Sequence, residues 1–149
     1  VSLGGGRFTV ENTFVVNNGR GLVAPSTGGV TIADALAGSL FVNNTVADNR
    51  GTSAGGVFCG VAATLSNSLL TANTGPATRE NVDGTCMDDN NAIGTAAMFD
   101  LAMAYHLSSS SACCVDTGRS GADVPTVDYD NQARPCGGVV DIGADELCL

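Results

Sequence analysis

The chain has 149 residues, of which 44% are apolar and 5% aromatic, with 20 glycines and no tryptophan. That composition suits one domain built of narrow layers of small aliphatic side chains rather than a broad core. Fifteen acids against six arginines, with no lysine, leave a net charge of −9, which excludes a non-specific nucleic-acid surface because phosphate neutralisation needs basic clusters.

The apolar stretches fall well short of the roughly 20 residues of a membrane span. The opening VSLGGG has neither the charged start nor the apolar centre of a signal segment. Val1 opens in what reads as a running repeat. The chain is therefore expected to be the C-terminal part of a longer precursor, with its first rung covered by upstream coils or by another copy.

Three segments repeat along the first half: FTVENTFVVNN from Phe8, LFVNNTVADN from Leu40 and ATLSNSLLTAN from Ala63. Each places an asparagine before a hydroxyl residue and an apolar one, at Asn12, Asn44 and Asn67, offset by 32 and 23 residues. A loose period of this length marks a solenoid. Val10, Phe14, Val42, Val46, Leu65 and Leu69 are expected to point inward as apolar columns. Asn12, Asn44 and Asn67 are expected to stack in a ladder whose amides satisfy backbone groups of adjacent rungs. Asn43-Asn44-Thr45 is also a formal glycosylation triplet, for which the ladder is the preferred explanation. Between the repeats, GLVAPSTGGVTI and GTSAGGVFCGV read as the second strand of a coil, bent by glycine and turned at Pro25 and Ser26. Arg20 and Arg50 each follow an Asn-rich turn and would stand above one another on one edge, where they would meet an acidic glycan or a partner, or simply solvent.

ENVDGTCMDDNNAIG reads as a polar loop with Asp83, Asp88 and Asp89 close together. Hard oxygen ligands suit calcium, but the run lacks the spacing and closing Glu of a calcium loop, so a solvated acidic turn is the expectation and calcium its rival. The cysteines, Cys59, Cys86, Cys113, Cys114, Cys136 and Cys148, point to disulfides and an oxidising, extracellular or cell-surface setting. A cysteine metal site is the alternative, though no Cys-x-x-Cys occurs. Cys59 is expected to pair with Cys86, and the adjacent Cys113 and Cys114 to reach separately to Cys136 and Cys148, since a bridge across one peptide is geometrically awkward.

The last third carries Phe99, Tyr105-His106-Leu107, Asp116-Thr117-Gly118, Asp128-Tyr129-Asp130, Arg134-Pro135 and Asp141-Ile142-Gly143-Ala144-Asp145-Glu146 in order. From Phe99 to Glu146 this resembles the C-terminal cap of secreted bacterial right-handed parallel β-helix proteins, of the choice-of-anchor and polymorphic surface-protein kind. The resemblance implies an all-β fold with coils over residues 1–94 and the last coil and an irregular, disulfide-stapled cap over 95–149. It implies extended structure for Thr95–Leu107, whose Ala and Met content alone would favour a helix. It also makes Asp116, Gly118, Asp128, Asp130, Arg134, Asp141, Gly143 and Glu146 structural, with Arg134 pairing among the carboxylates and the tail folding across the open last rung. A carboxylate-lined site at Asp128, Asp130 and Asp141 is the rival reading.

Fold-level likeness leaves function open. The lyases and hydrolases of this architecture need a basic residue beside calcium-bound carboxylates, or an acidic pair across a glycosidic bond. Here the arginines are scattered and sugar-stacking aromatics scarce. The expectation is a non-catalytic extracellular structural, adhesive or fibre-forming module without cofactor, self-associating through its N-terminal edge. The alternative is a fragment of a carbohydrate-active or glycan-binding β-helix protein.

Overall fold

The computed structural model describes residues 1–19 and 25–148, so Arg20 and any edge it shares with Arg50 lie outside the described residues. The described residues form an all-β parallel solenoid with no helix. Its strands fall into four stacked levels. The first holds β1 (Ser2–Leu3), β2 (Thr9–Glu11) and β3 (Phe14–Val16), and the second β4 (Val30–Ile32), β5 (Leu40–Val42) and β6 (Thr45–Ala47). In the third, β7 (Val57–Ser66) fuses what were two strands below, followed by β8 (Leu69–Thr71); the fourth repeats this with β9 (Val82–Asp89) and β10 (Ala92–Ile93). All strand pairs are parallel, and β7 receives both β4 and β5 on one side and β9 on the other.

Residues 82–89 are therefore a strand rather than a polar loop. Val82, Asp83 and Gly84 pair in register with Val57, Phe58 and Cys59, and Cys86–Asp89 with Ala63–Ser66. A parallel partner already in place supplies backbone hydrogen bonds that outweigh the poor strand propensity of Asp and Gly.

The interior is a stack of apolar side chains that includes Val30, Ile32, Phe41, Val46, Val57, Leu65 and Leu70. Of the positions expected to point inward, Val10, Val46 and Leu65 belong to this core; Phe14, Val42 and Leu69 do not. Phe14 pairs with Thr45, and Thr45 with Leu69, on the outer side of the β3–β6–β8 sheet, opposite the column Val15, Val46 and Leu70. The alternation is reset at each corner, where Asn12, Asn43 and Asn67 take left-handed conformations (φ 47°, 50° and 44°). Asparagine tolerates that geometry better than any other residue with a β-carbon side chain.

These corners shift two of the three expected ladder positions by one residue, while Asn44 keeps its place. Asn12 and Asn67 occupy the left-handed column with Asn43, and it is Thr13, Asn44, Ser68 and Asn91 that stack. Thr13 N donates to Asn44 Oδ1 (3.0 Å), Asn44 N to Ser68 Oγ (3.2 Å) and Ser68 N to Asn91 Oδ1 (2.7 Å). A second ladder, absent from the expectation, runs through Asn18, Asn49, Asn73 and Asn81. Each of its upper asparagines accepts the backbone amide of the one before, and the side-chain amides of Asn49 and Asn73 also donate to Val15 O and Val46 O. The third corner is a column of glycine pairs. A β-carbon on Gly28 would stand 2.5 Å from Gly55 O and one on Gly56 2.3 Å from Asn81 O, so only glycine lets the coils approach this closely.

Residues 95–148 pair only through isolated bridges, Phe99 with Leu107 and Val127 with Ala133, both antiparallel. The tail does not lie across the last rung. It runs along the flank of the solenoid, touching every level: Asn12 Nδ2 donates to Val127 O, Asn43 Nδ2 to Asp141 O, Gly143 N to Asn67 O and Asn90 Nδ2 to Thr117 O. The apolar reason is the outward face of β3, β6, β8 and β10. Leu69 and Ala92 form a second buried cluster with Leu107, Cys114 and Ile142 of the tail, and Phe14 packs against the rings of Tyr129 and His106, with centroids 4.6 and 5.1 Å away. The tail is a lateral buttress, and among the described residues no strand pairs onto the outer side of either end level.

Candidate functional site

The seam between buttress and coils gathers the buried charge of the described residues: Asp128, Arg134, Asp141, Asp145 and Glu146, none more than 6% exposed. An irregular backbone leaves amides that no strand partner satisfies, and carboxylates can each accept several of them. Asp128 accepts the amides of Asp130 and Gln132 on Oδ1 and of Glu146 on Oδ2, at 2.9, 2.8 and 3.0 Å. Asp141 accepts those of Asp116 and Leu147 (2.6 and 2.8 Å), and Glu146 those of Cys136 and Asp141 (both 2.9 Å). Asp116 takes Val139 N at 3.2 Å. Gly118 N donates to Val140 O, and Gly143 takes φ 117°, a conformation that favours glycine.

Arg134 is the counter-charge. Its Nη1 stands 3.2 Å from Glu146 Oε2 and donates to Asp141 O, while Nη2 donates to Gly143 O and Ala144 O. The guanidinium thus pairs one carboxylate and gathers three carbonyls of the DIGADE turn. Burial pulls the Arg134 pKa down, with Glu146 and the surrounding aspartates opposing it. Burial pushes the Asp141 carboxyl up to about 6, against the two amides it accepts. Asp128, Asp130 and Asp141 do not converge on one open site: Asp128 and Asp141 are spent on backbone amides, and Asp130 turns to His106.

His106 belongs to a separate group. Its Nε2 lies 2.8 Å from Asp130 Oδ2, and its Nδ1 lies 3.3 Å from Ala104 O. Asp145, buried beside it, accepts Leu107 N at 2.7 Å. Burial works against the imidazolium, yet the charge of Asp145 and the hydrogen bond to Asp130 outweigh it, and the His106 pKa is raised. Both ring nitrogens are engaged, so the imidazole is not a free general base. In the sequence, only the Tyr-His-Leu phrase and the acid-rich ending hinted at this group.

The calcium candidates point elsewhere. Asp83 pairs with Arg79 at 3.7 Å, Asp88 accepts the amide and side chain of Asn91, and Asp89 accepts Ser66 Oγ and the Arg119 guanidinium. Strand alternation puts Asp88 and Asp89 on opposite sides of β9. Arg119 also holds Asp123, and Arg7 donates to Gly38 O, so Arg7, Arg79, Arg119 and Arg134 are all tied within the chain.

The cysteines form three bridges. Cys59–Cys86 joins the third level to the fourth; Cys113 bonds to Cys114 and Cys136 to Cys148. The expected crossing of the vicinal pair to Cys136 and Cys148 is thus replaced. Those two are brought together by the chain reversal around Arg134 and Glu146, with α-carbons 5.2 Å apart. No helix among the described residues is long and apolar enough to cross a membrane. No protein-family model matches the chain, and neither a curated protein nor a solved structure matches it significantly.

Proposed function

We propose that this chain is a non-catalytic extracellular β-solenoid module of a structural or adhesive surface protein, and that it associates end to end through its open rungs. The observation that carries the reading is the pairing at the two ends. Among the described residues, β1, β2 and β3 each have a partner on one side only, as do β9 and β10 at the other end, while the tail covers the flank instead. An unpaired parallel edge offers a row of donors and acceptors to another strand. The end levels also expose apolar surface, including Val1, Met87 and Ile93. Three disulfides suit an oxidising compartment. The buried charged groups of the tail are occupied with its own backbone and with one another, which supports a mechanical role over catalysis.

Light scattering across a wide concentration range tests this. The expected result is growth of mass with concentration, suppressed by Thr9→Lys, which sets a charge on the exposed edge strand β2. A monomer at every concentration, with Val1–Gly6 protected from hydrogen exchange, would falsify the association. Binding of an acidic polysaccharide by that monomer would instead favour the glycan-binding alternative.

A further inference from the structure

The group around His106 has the composition and placement of a metal site. His106, Asp130 and Asp145 come from three separate stretches of the buttress, and each presents a ligand atom within 4.8 Å of the other two. Asp145 is 4% exposed and is offered one backbone amide, that of Leu107, on Oδ2. A carboxylate this buried needs further compensation. The imidazole is already aimed. Its ring packs against Phe14 and Tyr129, and its Nδ1 faces Ala104 O, the partner a metal-ligating histidine gives its second nitrogen. With Nδ1 donating to that carbonyl, Nε2 is left to face Asp130 Oδ2. The bridge there needs a proton on Nε2, and a cation can take that proton's place.

We propose that His106 Nε2, Asp130 and Asp145 bind a divalent transition metal, zinc being the ion whose chemistry fits best. One imidazole nitrogen and two carboxylate oxygens match zinc's mixed ligand set, whereas calcium takes an all-oxygen shell of six or more. Asp130 is partly exposed, leaving room for water as a fourth ligand. Binding at acidic to neutral pH releases the Nε2 proton to solvent. The metal would tie the His106 turn, the Asp128–Asn131 turn and the C-terminal stretch to one another, and through Phe14 to the first coil.

His106 is the only histidine in the chain, so its ring resonances report the site without ambiguity. Zinc is titrated into the metal-free 149-residue chain at neutral pH, followed by nitrogen-15 NMR of the imidazole and by calorimetry. The expected result is saturation at one zinc per chain, a shift of the His106 ring to the form protonated on Nδ1, and a melting temperature raised by several degrees. Millimolar calcium should do neither. Asp130→Asn changes a half-exposed side chain and is expected to keep the fold while weakening zinc at least tenfold; His106→Gln should abolish the site. Asp88→Asn is the control and should leave zinc affinity unchanged. Zinc uptake with the His106 resonances unmoved, or an affinity that survives Asp130→Asn but falls in Asp88→Asn, would overturn the assignment and place the ion on the surface acids of β9.

Discussion

The coils and the buttress solve one problem with different chemistry. Among the described residues of the coils every buried polar residue is neutral: Asn43, Asn44, Thr45, Asn49, Ser66, Asn67, Ser68, Thr71 and Asn73. In the buttress the buried polar residues are four carboxylates, one guanidinium and Ser111. An amide both donates and accepts, so it can stack on a copy of itself at each level, as Asn49 does on Asn73. A carboxylate only accepts, and copies stacked one rung apart would repel at close range. Periodic structure therefore selects asparagine. The aperiodic tail has no copies to stack, and it can place several acids around one arginine.

Arg134 is the severest test of that division. Replacing it with alanine strands Glu146, and with it the carbonyls of Asp141, Gly143 and Ala144, in a buried site. The expected loss is about 3–5 kcal/mol in urea denaturation, the usual cost of breaking a buried pair from one side. Adding Glu146→Gln should recover part of it. An unchanged denaturation midpoint would mean that the buttress charge is incidental to stability.

A smaller effect comes from the ladders, where the contrast can be inverted. Asn49→Ala removes an acceptor for Asn18 N and a donor to Val15 O, and should cost about 1–3 kcal/mol. Asn49→Asp keeps the shape but sets a charge against Asn73 Oδ1 and Val15 O, to which the amide had donated. It should be the more damaging of the two by equilibrium denaturation. An aspartate tolerated better than alanine would show that neutrality is not what the ladder demands.

The parallel solenoid was legible because its repeat is a backbone requirement: apolar triplets separated by a residue able to turn left. The exact register was not. Asn43-Asn44 offers two residues for two roles, the left-handed corner and the inward ladder, and either assignment reads equally well. The second ladder lay in Asn17-Asn18, Asp48-Asn49 and Ala72-Asn73, but its corner residues Asn17, Asp48 and Ala72 are three different residue types, the last with no polar side chain to favour a left-handed turn, so the column is clear only once the coils are stacked. The tail's acids announce a need to satisfy amides, yet nothing in them says whether the tail covers an end or a flank. That choice is made by three outward-facing apolar residues: Phe14 and Leu69, read as inward, and Ala92, read as part of a polar loop. The Cys59–Cys86 bridge was legible, whereas the pairing of the other four cysteines was out of reach, since Cys136 meets Cys148 only through the reversal around Arg134.

The smallest expected effect separates the two regions by pH. The asparagine ladders do not titrate, whereas Asp141 is held at about 6 by burial, above the roughly 3.9 of a free aspartate. The native state thus holds this proton more tightly than the unfolded chain. Its contribution is greatest at low pH and is lost as pH rises through the native value, levelling off above about pH 7. Between pH 5 and pH 8 the loss should be roughly 1.4 kcal/mol, measured by denaturation with a chelator present so that metal binding does not intrude. Asp141→Asn should be less stable at pH 5, because one acceptor is gone, but should show a flatter profile. Hydrogen exchange gives the local version, after correction for intrinsic rates: the amides of Asp116 and Leu147, which Asp141 accepts, should lose protection across this window while those of Asn49 and Asn73 hold. Stability that instead rises from pH 5 to pH 8 would mean that the Asp141 carboxylate is better solvated by its two amides than its burial implies, and the buttress would then carry its charge at no cost relative to the coils.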